Sequence, residues 1–247
     1  MRYLLIDNSN TRTKFMIGTE QTLLPWIEHI NTSEISANTV TNALIDQQWD
    51  AVYLCSVVPE KAKIIESTLN ELAHKPFLKL THNSQLGIGI NYPNPSQIGA
   101  DRLANSIAAN TLFGSPCIVI DFGTAVTFDI ISDGKYQGGV IAPGLGAMTD
   151  YLANKTALLP KITLTEPDSP IGKSTEKAMD IGAVYGYRGL VREIITELSK
   201  ELKSPPTVIC TGGDGQLISD GLPELIHHYH PSITLEGIRL AAILNFQ

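Results

Sequence analysis

Two stretches of the chain carry an aspartate out of an apolar run and into a turn of small hydroxyl residues. The first is YLLIDNSNTRTKF (3–15) and the second is CIVIDFGTAVTFD (117–129). Laid over each other, Asp7 matches Asp121, Ser9 matches Gly123 and Thr13 matches Thr127. A turn of Gly, Ser, Asn and Thr offers backbone N–H groups and hydroxyls with no bulky side chain in the way, which suits phosphate oxygens. An aspartate at the strand end suits a hard cation or its bound waters. Aspartate often does no more than stabilise a tight turn; the same device made twice in one chain favours a ligand. Neither turn is a GxxxxGK[ST] loop, and neither half carries GxGxxG.

A third stretch, GADRLAN (99–105), puts Asp101 and Arg102 in the first turn of a helix that Gly99 precedes. An acid there is also a partner for the helix dipole, worth roughly some tenths of a kcal/mol. Its chemical role would be to accept a proton from a substrate hydroxyl, while Arg102 holds an anionic group. In phosphoryl transfer positioning and charge stabilisation dominate, so an acid of low pKa can serve as the base. HHYH (227–230) lacks a matched acid or cysteine spacing and is expected to be solvated surface, not a metal site. Tyr185 and Tyr187, in GAVYGYRG, are expected to pack and not to stack on a base, and Trp26 and Trp49 to sit in or at the edge of the core.

The elements that must position these residues form a repeating pattern. RYLLID, TRTKFMIG and TLLPWIEHI are strands joined by short turns, an antiparallel meander. SEISANTVTNALIDQQ has helical spacing, with Ser33 as the expected N-cap. AVYLCSVV (51–58) is a strand buried on both faces. Pro59 opens a helix, PFLKLTH is a further strand, NSQLGIGINYPNPSQIG (83–99) is a loop, and a helix then ends at Gly114.

The second half restarts with CIVIDFG, AVTFDIIS and YQGGVIAPG as strands, SDGK marking a turn. Gly138-Gly139 and Pro143-Gly144 are expected to let two backbones pass closely, with a helix N-terminus facing the cleft. A helix near LGAMTDYLANKT follows, then a long helical stretch from KSTEKAM interrupted around Gly182–Gly189, the strand PTVICTGG and the closing helix TLEGIRLAAILNF. The order strand-strand-strand-helix-strand-helix thus occurs twice, with a boundary at 114–116 where Gly-Ser-Pro breaks both patterns. Two α/β halves, 1–114 and 115–247, are expected to flank an interdomain cleft with both turns at it, since ligand sites favour such interfaces.

Bulk properties exclude other classes. The chain has 247 residues, 43% hydrophobic and 17% charged, as in a folded globular protein. The net charge is −7 with no Lys/Arg cluster, which argues against nucleic acid as a partner while leaving room for a small anionic substrate. The run YLLI ends at Asp7, too short for a signal-peptide core. No stretch approaches the roughly 18–20 apolar residues of a membrane helix, so no membrane is expected. Cys55, Cys117 and Cys210 lie in apolar strands without CxxC spacing and are expected as core residues in a reducing cytoplasm.

The ordered set D-x-[GS]-N-T, GADR, DFGTAVTFD, GGVIAPG and IGKSTEKAM resembles type III pantothenate kinase from residue 7 to about 215. The resemblance implies the actin-like ATPase fold with two ribonuclease-H-like, mixed-sheet halves. It implies ATP-dependent phosphorylation of pantothenate to 4'-phosphopantothenate, the first step of coenzyme A biosynthesis, by a cytoplasmic homodimer. ATP phosphates would be wrapped by Asp7, Asn8, Ser9, Asn10, Thr11, Arg12, Thr13 and Lys14, with Mg²⁺ near Asp7. Thr124 would also touch ATP, and Gly212 and Gly213 would lie near the adenosine. Asp101 would be the catalytic base. Tyr92, Gly99, Ala100, Asp101, Arg102 and Thr175 would line the pantothenate site, Thr175 across the dimer interface. Asp121 would bind a monovalent cation, K⁺ or NH₄⁺. The family usually has glycine where this chain has Ser9; serine tolerates positive φ less well, so replacing Ser9 by glycine is expected to leave activity equal or higher. Relatives of the family have also been described as transcriptional activators, and the same fold serves phosphatases and sugar kinases; these are the rival functions.

Overall fold

The structure, a computed structural model, describes residues 1–246. These divide into two compact units: unit 1 is Met1–Leu112 with the segment from Ser232 onward, and unit 2 is Phe113–Pro231.

In unit 1, β1 (Arg2–Asn8), β2 (Arg12–Thr19) and β3 (Leu23–Asn31) form the expected meander, with Asp7 opposite Lys14. The helix α1 (Ala37–Leu44) carries the chain over to β4 (Ala51–Ser56), which therefore runs parallel to β1 and sets Asp7 beside Cys55. After α2 (Pro59–Leu72), which has proline in its first turn, β5 (Phe77–Lys79) completes the order β3-β2-β1-β4-β5. A two-residue β6 (Gly89–Ile90) and α3 (Ala100–Phe113) follow.

One sheet face sends Leu4, Ile6, Phe15, Val52 and Leu54 against Val40, Leu44, Ile65 and Leu69 of α1 and α2. Tyr3 and Tyr53 point the other way, where their rings meet Phe246 at 5.9 and 5.8 Å just beyond the closing helix. That coverage of both faces is why β1 and β4 are almost continuously apolar.

In unit 2, β7 (Cys117–Phe122), β8 (Ala125–Ser132) and β9 (Lys135–Pro143) form a second meander. The helices α4 (Leu145–Lys155) and α5 (Thr175–Glu201) lead to β10 (Thr207–Gly212), parallel to β7. A short α6 (Gly215–Ser219) and β11 (His228–Tyr229) follow, giving the order β11-β10-β7-β8-β9. Each unit thus has its first strand in the middle, an antiparallel neighbour on one side and a parallel one on the other. The core gathers Ile118, Ile120, Phe128 and Cys210 from the sheet with Val184, Tyr187, Val191 and Ile195 from α5.

Several sequence expectations change. Ser36, not Ser33, caps α1, through a capping box with Thr39; Ser33 lies in a 3-10 turn, Thr32–Glu34. The strand expected over PFLKLTH contracts to three residues. Helix α5 runs unbroken past Gly182, Gly186 and Gly189. Those glycines lie on its exposed side, while Ala183, Tyr187, Val191 and Ile195 at four-residue spacing are buried. Burial of that stripe outweighs roughly 1 kcal/mol of propensity lost per glycine.

The closing helix α7 (Ile233–Asn245), assigned by order to the second half, packs on β1 and β4 of unit 1. Its Arg239 is buried, donates to the carbonyls of Thr19 and Glu20 at 3.1 and 2.7 Å, and pairs with Glu236. Thr234 Oγ1 donates to Asn105 Oδ1 of α3 at 2.8 Å. These bonds reach residues far away in sequence, so the element order could not reveal them.

HHYH is an edge strand with His227 and His228 exposed. His227 Nδ1 accepts the Val208 N–H at 2.9 Å. Trp26 and Trp49 pack against the unit 1 core as expected. All three cysteines are buried and free. Among the described residues no helix is long and apolar enough to cross a membrane.

Candidate active site

The apolar strand β1 delivers Asp7 into unit 1 with only 3% of its surface exposed. A carboxylate so buried is costly unless partnered. Lys14, its register partner on β2, brings Nζ to 3.4 Å from Oδ2. Ser9 Oγ donates to Oδ1 at 2.7 Å. The turn between them is tied down from below. Asn8 Nδ2 donates to Thr13 Oγ1 at 2.8 Å, and the Thr13 and Thr32 hydroxyls are 2.9 Å apart. Thr32 Oγ1 also donates to the Ser9 carbonyl at 2.6 Å, and Ser56 Oγ donates to Asn8 Oδ1 at 2.7 Å. Asn10, Thr11 and Arg12 are left exposed at the tip. The result is a rigid, polar loop with one carboxylate, one ammonium and several hydroxyls, a donor set that fits phosphate oxygens and a Mg²⁺ ion. Thr32 and Ser56 escape a sequence reading, because only the sheet order brings β3 and β4 to this loop.

Ser9 is not strained: among the described residues Asp133 is the sole non-glycine with positive φ. Serine therefore meets no backbone penalty at this position, and its hydroxyl is bonded to Asp7.

Asp101 and Arg102 occupy the first turn of α3, with Ala100 buried at its start. The Arg102 N–H donates to Asp101 Oδ1 at 2.8 Å, fixing the carboxyl. Gly99 leaves that carboxyl its place, since a Cβ would stand 2.5 Å from the same oxygen and push it aside. Burial raises the Asp101 pKa; the Arg102 N–H opposes the shift, and the Asp7 charge adds to it. Both carboxylates also help, after burial, to push the Cys55 thiol well above its ordinary value, so it stays neutral. Unit 1 therefore brings Asp7 and Asp101 within electrostatic reach of each other. Tyr92 lies exposed in the stretch before α3.

In unit 2 three segments meet at the end of β7. Asp121 is half-buried, and Gly123 and Thr124 form an exposed turn into β8. The Gly144 N–H, at the start of α4, donates to the Thr124 carbonyl at 3.0 Å. A Cβ on Gly144 would overlap the Gly123 and Thr124 carbonyls, so this is the close backbone passage the Pro-Gly pair suggested. Gly212, with φ of 93°, turns the end of β10 beside Phe122, and Gly213 is exposed next to it. Thr175 is elsewhere in the unit. It begins α5 and borders a largely apolar cavity of about 490 Å³ with Met148, Leu152 and Met179.

A family model described as type III pantothenate kinase matches residues 3–197. The chain belongs to the type III pantothenate kinase family. A type III pantothenate kinase of Akkermansia muciniphila is 52% identical over 99% of this chain and 100% of that protein. Among solved structures, a conserved putative Baf family transcriptional activator from Campylobacter jejuni aligns with TM-score 0.63 and 20% identity over 97% of each chain. Component A of the (R)-2-hydroxyglutaryl-CoA dehydratase of Acidaminococcus fermentans aligns with TM-score 0.56 and 14% identity, over 100% of this chain and 98% of that one. At such identities these two speak to the fold alone, and the fold of this pantothenate kinase family member is that of the actin-like ATPases, with two mixed sheets.

The bond from Ser9 to Asp7 argues against the expectation that glycine there would be neutral or better. Ser9→Gly removes one of the carboxylate's two fixed partners and frees the loop backbone. The expected result is a several-fold rise in KM for ATP, measured by steady-state kinetics at saturating pantothenate; an unchanged or lower KM would show that the hydroxyl is idle.

Proposed function

We propose that this chain transfers the γ-phosphoryl group of ATP to the primary hydroxyl of pantothenate, giving 4'-phosphopantothenate and ADP, with Asp101 as the base. The observation that carries the base assignment is a carboxyl fixed by the Arg102 N–H, given room by Gly99, and made more basic by burial and by Asp7. Asp101 accepts the hydroxyl proton as the oxygen attacks phosphorus in line, and ADP leaves from the opposite side. Arg102 meets the pantothenate carboxylate, with Tyr92 and Gly99–Arg102 around the substrate. The loop from Asp7 to Lys14 and Thr124 hold phosphate oxygens, and Gly212 and Gly213 leave a flat base room to approach the backbone. Mg²⁺ held by Asp7 would neutralise charge on the phosphates.

Asp121 is proposed to hold K⁺ or NH₄⁺. Among the described residues no three His, Cys, Asp or Glu side chains converge on a metal position. A half-buried carboxylate at the end of β7, next to an exposed turn, suits a weakly bound monovalent ion better than a caged divalent one. The working form is proposed to be a homodimer in which Thr175 reaches the partner's substrate. The apolar cavity beside Thr175 supports this, as do the exposed Tyr151 and Leu158, which adjoin the cavity residues Leu152 and Leu159 in sequence. Buried, free cysteines suit a reducing cytoplasm.

The deciding experiment follows ADP release with ATP, Mg²⁺ and K⁺, with and without pantothenate; absence of pantothenate-dependent ADP would reject the activity. Asp101→Asn is expected to lower turnover by at least about 10²-fold, the scale of general-base loss, while ATP binding by calorimetry stays intact. The raised Asp101 pKa gives two further readouts. The acid limb of kcat/KM should titrate above the ordinary aspartate value of 3.8. A raised folded-state pKa also means that the stability linked to protonated Asp101 is lost as pH rises through it, so Asp101→Asn at pH 7 should melt at the same temperature or higher.

Turnover should require K⁺ or NH₄⁺ and fail in Na⁺, and Asp121→Ala should weaken the K⁺ response; K⁺ dependence that survives the substitution unchanged would remove Asp121 from that role. Sedimentation as a 26.8 kDa species at micromolar concentration would reject the dimer and with it the reach of Thr175 across an interface.

A further inference from the structure

Tyr187 is almost wholly buried in α5, 1% exposed, yet its hydroxyl is not idle: Oη donates to the carbonyl of Pro143. Pro143 is the last residue of β9 and stands opposite Ala125, the first residue of β8 beyond the Gly123–Thr124 turn. The next residue, Gly144, donates its N–H to the Thr124 carbonyl. One phenol therefore holds the peptide that in turn holds the turn.

The Tyr187 ring meets Phe122 edge-on, with centroids 6.3 Å apart. Phe122 directly follows Asp121, and it is the parallel register partner of Gly212. A Cβ on Gly215, at the start of α6, would lie 3.6 Å from the Phe122 ring. Burial raises the Tyr187 pKa to about 12, and the Asp214 charge adds to the shift, so Asp214 is within electrostatic reach and the phenol stays protonated as a donor. The same side chain thus touches or feels the end of β7, the β9–α4 junction and the β10–α6 junction. Its neighbour Tyr185 is exposed, its ring 6.0 Å from the Arg188 guanidinium.

We infer that Tyr187 is a positioning residue for the nucleotide-binding turn of unit 2, acting on Thr124 through Pro143 and Gly144 and on the Gly212–Gly213 backbone through Phe122. The inference deepens the proposed function, since it rests on Thr124 and Gly212–Gly213 meeting ATP. A residue that only filled the core would lower stability without regard to ligand. A residue that sets the turn changes the binding of ATP and leaves that of pantothenate alone.

The test is Tyr187→Phe, which keeps the ring and removes the donor, with Tyr185→Phe as control. ATP affinity is measured by calorimetry, the two KM values by kinetics, and melting temperature by scanning. Tyr187→Phe is expected to weaken ATP binding and raise KM for ATP five- to tenfold, the equivalent of about 1 kcal/mol for one hydrogen bond. KM for pantothenate should stay within twofold, and Tyr185→Phe should match wild type throughout. An ATP affinity within twofold of wild type, alongside a lowered melting temperature, would overturn the inference, as would an equal rise in both KM values. Should Tyr187→Phe fail to fold, Gly144→Ala displaces the same junction and must show the same ATP-selective loss. Calorimetry separates this inference from the activity: a wild type that binds ATP but makes no pantothenate-dependent ADP sinks the proposed reaction and still lets the Tyr187 effect be read. A wild type that binds no ATP sinks both.

Discussion

Unit 1 depends on the burial of a charge. Asp7 sits at the end of a strand whose other residues are almost all apolar, and it is itself 3% exposed. An ion in that position costs several kcal/mol unless its surroundings answer for it. Lys14 across the ladder and the Ser9 hydroxyl do so directly. The Asn8, Thr13, Thr32 and Ser56 network fixes the backbone that presents them. A loop held in this way is ordered before any ligand arrives, which would lower the ordering cost of the phosphate binding proposed for it. The same charge reaches Asp101 and helps make it more basic. The basicity of Asp101 is raised first by its own burial and then by the Asp7 charge, so the proposed phosphate loop and the proposed base share one buried carboxylate.

Unit 2 repeats the strand order of unit 1 but organises its turn by other means. Asp121 is only half-buried, and the turn is held from the side by backbone contacts from Gly144 and by the aromatic pair Phe122 and Tyr187. Small residues are needed where backbones pass, and a large buried ring is needed behind them to hold the register. The two halves thus keep the same topology while dividing the chemistry: charge and hydroxyls in unit 1, peptide groups and close packing in unit 2.

Much of this was legible from local patterns. Apolar runs ending in an acid, the turn residues after them, Pro59 in a first turn and the glycines around GADR and Pro143-Gly144 are properties of a few consecutive residues. The misreadings share one cause. The glycines of α5 suggested a break because propensity is local, whereas burial of the Ala183–Tyr187–Val191–Ile195 stripe is not. Ser33 has the right residue type for a cap, but Thr39 selects Ser36 by completing the reciprocal bonds of a capping box. Tyr187 packs in the core as expected, but nothing in GAVYGYRG signals that its hydroxyl will meet the end of a strand many residues earlier.

By itself the sequence determined the two strand-turn devices, the acid at the head of α3, the duplicated α/β order and the family, because each is written in short-range spacing and residue type. The tertiary structure alone decided which unit receives the closing helix, that Thr32 and Ser56 brace the first loop, that Ser9 serves Asp7, and that Asp101 is raised in pKa. Those outcomes turn on sheet order and burial, and both come into existence only when residues distant in the chain are brought into contact.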